Sequence, residues 1–237
     1  MAQEGENSTP QDETAPVKPR KASVSREEQD RIITADSAAA LALIEAIQGD
    51  EEIAGIMAGR GYPLARFSEG RDLQAALQSA VSARQTAMGT AENARAALAV
   101  ADAAARTRYG DFRGTARPVF TSSADRTALQ VNGNVPRDRQ RFITLANTSY
   151  TNAKAAPYQN ILKDYGETSA ALNDALAGLK ALADADTAQN RASGDAERAT
   201  NQRDLAHKAL MAWIRQLRAL ARNALRKRPD LLAKLDL

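Results

Sequence analysis

From about Ser68 to Phe120, apolar residues return at multiples of three or four. Leu73, Leu77, Val81, Met88, Ala91, Leu98, Ala105, Tyr109, Phe112, Ala116 and Val119 therefore fall on one stripe of a helix. No proline interrupts this segment before Pro118, so the pattern predicts one helix about 75 Å long at ~1.5 Å per residue. A second long helix is expected from about Glu167, after a break at Gly166, to Lys227. Its stripe carries Leu172, Leu176, Leu179, Leu182, Leu210, Ile214, Leu217, Ala221 and Leu225, and Pro229 stops it.

Shorter elements fill the intervals. Ser25 can cap a helix whose first turn holds Glu27 and Glu28, with Glu28 placed as in a capping box. That helix runs to Gln48 with Ile32, Ile33, Leu41, Ile44 and Ile47 as its apolar face, and Gly49 ends it. A short helix over Glu51 to Ala58 follows, then a break at Gly61 and Pro63. After Phe120 a connection with turn chemistry at Asn132-Gly133-Asn134 leads to Pro136, read as the first residue of a helix to about Ala155. This helix presents Phe142, Ile143, Leu145, Ala146 and Tyr150. Pro157 restarts the chain, and the closing DLLAKLDL supplies an apolar clasp.

The long helices are not apolar throughout. Between Leu182 and Leu210 the stripe falls on Asp186, Asn190, Ser193, Glu197, Thr200, Asp204 and His207, and Leu205 is the only large apolar residue. Ser82 to Ala97 is a weaker version of the same zone, relieved by Met88. Two apolar ends are thus joined by a polar, alanine-rich waist that no ordinary hydrophobic core explains.

The chain also matches itself. F112-R-G-T-A-R-P-V-F120 aligns with L217-R-A-L-A-R-N-A-L225, and GYPLARFSEGRDLQAAL with APYQNILKDYGETSAAL. The expected fold is all-α: an elongated antiparallel bundle built on two long Ala-rich helices, with shorter helices packed at the ends and a possible internal duplication. Residues 1–24 are expected to be a disordered tail, because they are polar and carry prolines at 10, 16 and 19. Residues 25–237 would form one domain, with pseudo-repeats 25–131 and 136–237. Setting the helix centres opposite one another pairs Glu92 with Arg198 and Arg95 with Asp195, both attractive.

Composition narrows this further. Apolar residues make up 43% of the chain but aromatics only 4%, so thin, closely packed helix pairs suit it better than a core of large side chains. No stretch reaches the ~18–20 continuous apolar residues of a membrane span, and the longest run, Ala38 to Ile47, is broken by Glu45. The first residues lack a basic start followed by an apolar segment, so a cytoplasmic location is expected. A net charge of +3 leaves nucleic-acid binding to depend on local clustering.

Little in the chain suggests catalysis, a metal or a cofactor, and none is expected. His207 is the single histidine and there is no cysteine; a zinc site built from three or four such ligands cannot be assembled. Asp204 lies three residues before His207, but a partly exposed histidine bonded to a neighbour accounts for it. Gly-x-Gly-x-x-Gly, the Walker pattern and the Gly-x-Ser-x-Gly elbow do not occur. The paired carboxylates Asp184 with Asp186 and Asp195 with Glu197 read as a solvated helix face.

One local feature stands out. On the last turns of the second long helix Arg215, Arg218, Arg222 and Arg226 share one arc, while Leu210, Trp213, Ile214, Leu217, Leu220, Ala224 and Leu225 share another. Lys227 and Arg228 extend the charge. Such a helix either docks its apolar face in its own bundle or lies on an anionic surface. The expectation is therefore a non-catalytic structural or protein-interaction bundle that binds a protein partner or self-associates. The alternative is a peripheral binder of an anionic membrane or nucleic acid through Arg215, Arg218, Arg222, Arg226, Lys227 and Arg228.

Overall fold

Two antiparallel helices run the length of the molecule in the computed structural model, which describes residues 25–237. The tail expected at 1–24 lies outside the described residues. The order is α1 (Arg26–Gly49), α2 (Glu51–Gly59), a 3-10 turn, α3 (Phe67–Val119), α4 (Ser123–Ala128), α5 (Arg139–Ala153), α6 (Ala156–Leu162), a 3-10 turn, α7 (Ser169–Ala224) and α8 (Pro229–Lys234). No strand occurs among the described residues. At ~1.5 Å per residue, the 53 residues of α3 and the 56 of α7 make rods of about 80 Å.

The sequence pattern accounts for most of this. Leu77, Ala91, Leu98, Ala105, Tyr109, Phe112 and Ala116 of the first stripe are buried, as are Leu172, Leu179, Leu182, Leu210, Ile214, Leu217, Ala221 and Leu225 of the second. A seven-residue interval runs through Gly70, Leu77, Arg84, Ala91, Leu98, Ala105 and Phe112, all buried, which is the spacing of a two-helix seam. Antiparallel packing places Gly70 against Trp213 at one end and Arg108 against Glu167 at the other.

Each end has its own core. One joins Ile33, Ile44, Ile47, Ile53, Met57 and Phe67 to Trp213, Ile214, Leu217, Leu225 and Leu231. The other joins Tyr109, Phe112, Phe120, Leu129, Phe142 and Tyr150 to Leu162, Leu172, Leu179 and Leu182. Aromatic edges interlock in both: Tyr62 meets Phe67 at 5.1 Å, and Phe112 meets Tyr150 at 5.3 Å. The element order is the same twice over: a helix, a short helix, a 3-10 turn, a long helix, a short helix. Both self-matching segments occupy corresponding places, 61–77 and 156–172 entering the long helices and 112–120 and 217–225 ending them.

Several boundaries differ from expectation. α5 begins at Arg139 rather than Pro136, because the Asp138 carboxylate accepts from Arg141 N–H at 2.8 Å and acts as the cap. The Pro136 and Arg137 carbonyls meanwhile accept from Arg106 at 2.8 and 3.1 Å, which holds that segment outside the helix. α7 starts after Thr168, whose hydroxyl caps Ala171, while Glu167 turns away to Arg108. It stops at Ala224, before Lys227, and Pro229 opens α8 instead of merely ending α7. The connection after Phe120 contains α4, sewn down by Arg113, Arg117 and Arg126, which donate to the carbonyls of Val131, Gly133 and Phe120.

On α1, Ile32 is 43% exposed and off the apolar face, where Ala40 and Leu43 take part instead. By length and mean hydropathy Glu27–Gly49 would suffice to cross a membrane, unlike the shorter run counted as uninterrupted. In the fold Ile33, Ala40, Ile44 and Ile47 of this helix are turned onto the end core.

Candidate functional site

The C-terminal basic face separates cleanly into two sides. Leu210, Trp213, Ile214 and Leu217 are buried in the end core, with Trp213 wedged against Tyr62, Phe67 and Gly70. Arg215, Arg222, Arg226 and Lys227 are exposed, and Arg218 is half-buried. Arg228 leaves the row: it pairs with Glu52 of α2 and with Asp230 at 2.8 Å, tying α8 back to the bundle. Lys234 completes that clasp on Asp50 at 2.8 Å, and this hydrogen bond holds the Asp50 carboxyl below the ordinary aspartate value. The Arg228 hydrogen bond lowers Asp230 in the same way.

The waist is held by charge. Asp30 on α1 accepts from the guanidinium of Arg84 on α3 at 2.9 and 3.1 Å and from that of Arg203 on α7. Arg203 also donates to Asp204 at 2.6 and 2.9 Å. Both arginine side chains are almost completely enclosed, at 6% and 2% exposure, whereas Asp30 keeps 44%. Nearby, His207 Nε2 lies 2.8 Å from Asp36 Oδ2, so the histidine spans α7 and α1. Asp204, three residues before it, is occupied by Arg203 and takes no part. Among the described residues no three Asp, Glu or His side chains converge as a metal would require.

A second clamp sits where α5 begins. Arg139 pairs with Asp186 on α7 and lies 3.8 Å from Asp102 on α3, and Arg106 donates to Asp102 at 2.9 Å. The two clamps have like connectivity with opposite sign. The first helix of each half offers one charge to its own long helix and to the opposite one: Asp30 to Arg84 and Arg203, Arg139 to Asp186 and Asp102.

A buried cluster of another kind lies beyond. Arg108 forms a two-pronged pair with Glu167, and the Tyr150 hydroxyl nearby is enclosed without a partner among the described residues. Burial pushes that phenol well above its ordinary value. It is therefore a neutral packing group, set edge-to-face against Phe112 and Tyr109.

Between the clamps, among the described residues, only α3 and α7 are present. A groove of about 680 Å³ opens there, lined by Arg84, Met88, Gly89, Ala91, Glu92 and Arg95 of α3 and by Ser193, Ala196, Glu197, Thr200 and Asn201 of α7. The expected pairs Glu92 with Arg198 and Arg95 with Asp195 do not form, because Arg198 and Asp195, one helical turn apart, pair with each other.

Comparison with known proteins finds no match. No family model fits the chain, and no curated protein or solved structure is significantly similar. The residues that organise the waist must be judged on their own geometry. Asp30, Arg84, Arg203, Asp102 and Arg139 carried no weight in the sequence reading. The signal was present for one of them: Arg84 stands seven residues from both Leu77 and Ala91, in the middle of a buried stripe.

Proposed function

We propose that this chain is a non-catalytic, elongated protein-interaction scaffold, with α3 and α7 as a strut between two ends. The observation that carries this reading is the separation of two cores by a waist that, among the described residues, is only two helices thick. Residues 77 and 98, the last leucine layers of the two ends on α3, are about 32 Å apart along the axis at ~1.5 Å per residue. The charged waist side chains support it as well: Asp30, Arg84, Arg203, Arg139, Asp102 and Asp186 join helices to one another.

The cysteine-free chain allows a direct test. Leu64→Cys and Tyr165→Cys replace exposed residues at opposite ends, and each accepts a thiol-directed photocrosslinker without touching a core. In the host, one or both labelled positions should trap a defined protein that then binds the purified chain. A chain that traps no protein, its own copy included, at either end or at the waist refutes the scaffold reading.

The second reading is electrostatic binding of an anionic surface, favoured by one observation. Arg215, Arg222, Arg226 and Lys227 are exposed and form no ion pair among the described residues. Because Trp213 is enclosed, contact would come from the arginines alone, and its emission should not shift. Retention on anionic vesicles or nucleic acid that falls steeply with salt, and that Arg215→Glu with Arg222→Glu abolishes, is the expected result. Absence of retention at low ionic strength removes this reading.

A further inference from the structure

We infer that Arg218 and Arg222, near the end of α7, form a receptor for an acidic, glycine-containing peptide segment of another protein, held through its main-chain carbonyls. This rests on the scaffold reading and gives the chemistry of one partner.

The other half of the molecule holds such a site filled. Near the end of α3 the guanidinium of Arg113 donates to the carbonyls of Val131 and Gly133 at 3.2 and 2.6 Å, and that of Arg117 donates to the same two at 2.6 and 3.4 Å. Two arginines one helical turn apart thus share two carbonyls two residues apart, at a bend where Gly133 takes a φ of +74°. A planar guanidinium presents its donors in a fixed fork, which suits it to paired acceptors.

Arg218 and Arg222 occupy the same places in the second half. A single offset without a gap relates Phe112–Phe120 to Leu217–Leu225, and along it Phe112, Ala116 and Phe120 are buried like Leu217, Ala221 and Leu225. Arg113 and Arg218 are both half-buried with an enclosed, unpartnered Nε, and Arg117 and Arg222 are both exposed. The clasps also match, after a connection one residue longer in the second half: α4 and α8 have six residues each. They end at Gln130 and Asp236, with φ of 55° and 53°, after which the N–H groups of Val131 and Leu237 reach back to the Arg126 and Leu232 carbonyls at 3.0 and 3.2 Å. Leu237 therefore stands where Val131 stands. Yet neither Arg218 nor Arg222 donates to any acceptor among the described residues. The donors that hold a bend in one half are left open in the other.

The differences between the halves give the ligand its charge. Arg215 and Arg226 stand where the first half has Gly110 and Thr121, and Lys227 follows; all three are exposed. These additional cations around the shared pair favour Asp or Glu beside the bound carbonyls. Glycine is expected at the bend for the reason it stands at 133, since a left-handed φ is costly for a residue with a side chain. Residues 1–24 do not adjoin this site: they join the described chain at Ser25, and the 24 residues of α1 then carry it about 36 Å to Gly49 at ~1.5 Å per residue.

A display library of random short peptides, selected on the purified full chain, should enrich sequences carrying Gly with Asp or Glu on either side. Their binding should fall at least about tenfold in Arg218→Lys with Arg222→Lys, which keeps the charge and removes the fork, while the melting temperature stays unchanged. The same exchange in the filled site, Arg113→Lys with Arg117→Lys, should speed amide hydrogen exchange at residues 132–135. No enriched peptide, enriched peptides that the lysine pair binds equally well, or a bend indifferent to the exchange at Arg113 and Arg117 overturns the inference. A protein trapped at Leu64→Cys or Tyr165→Cys in the absence of an enriched peptide overturns only this inference and leaves the scaffold reading intact. A chain that enriches no peptide and traps no protein at either end or at the waist overturns both.

Discussion

Replacing Asp30 by alanine tests whether the waist is held by charge. The substitution strips both Arg84 and Arg203 of their shared acceptor, but the two losses are unequal. Arg203 retains Asp204 at 2.6 Å, whereas Asp30 is the only carboxylate paired with Arg84 among the described residues. A hydrogen bond to a charged group is worth about 1.5–3 kcal/mol, and breaking an enclosed ion pair costs about 3–5 kcal/mol. Asp30 itself is 44% exposed, so water reaches one side of the pair and the cost falls toward the lower range. A loss of about 2–3 kcal/mol is expected, or roughly 4–12 °C in Tm for a domain of this size. Far-UV circular dichroism and emission from Trp213, the single tryptophan, should follow the same transition if unfolding is two-state. Arg84→Met with Asp30→Leu should recover the part of the loss that falls on Arg84, because apolar replacement removes that pair's charges together while Arg203 keeps Asp204. A shift below about 1 °C for Asp30→Ala, outside the range expected for an enclosed pair, would refute the view that this carboxylate joins the three helices.

The other predictions concern the ends. Gly70→Ala should destabilise by about 1–3 kcal/mol, the cost of overpacking, since its Cβ would collide with the Trp213 ring; a change in Trp213 emission should accompany it. Leu217→Ala, at a fully buried position, should cost about 2–5 kcal/mol, while Arg215→Glu with Arg222→Glu on the exposed side should leave the melting temperature nearly unchanged. Acid should loosen the α2–α8 clasp: the folded values of Asp50 and Asp230 are depressed, so their contribution is complete above the ordinary aspartate value and is lost as pH falls through the lower folded value. Asp50→Asn keeps a capping side chain and should flatten that acid limb in a pH series of thermal melts.

What the sequence made legible, and what it did not, follows from the kind of interaction involved. Apolar periodicity is local, so the stripes from Leu77 to Ala116 and from Leu172 to Leu225 predicted the long helices and their buried sides. The clamps are not local. Arg203 looks like a surface arginine in any window, Arg84 is marked only by its place between Leu77 and Ala91, and the partner of both, Asp30, arrives from α1. The start of α5 was misplaced for a related reason: Pro136 is well suited to open a helix, but Arg106, thirty residues earlier, captures its carbonyl. Arg198 and Asp195 show the opposite competition, where a partner one turn away wins over one on the facing helix. On α1, Ile32 followed the apolar count but not the face, because the buried side runs through Ile33, Ala40, Ile44 and Ile47 and Ile32 lies about 100° round from it.

The inverted clamps also bear on how two near-equivalent halves stay within one chain. Suppose the first half paired with a second copy of itself in the same antiparallel geometry. The counterpart of Arg203 would then be Asp102, and Asp30 would face an acid where it now faces a guanidinium. The second half paired with itself would set Arg139 against Arg203 in place of Asp102. Juxtaposed like charges cost several kcal/mol, whereas the native combination pairs every member of both clamps with an opposite charge. The first half is therefore complementary to the second and not to itself. Two alanine-rich apolar stripes cannot supply that distinction, because one Ala-lined seam packs much like another. The charges placed where the hydrophobic pattern fails thus set which half pairs with which.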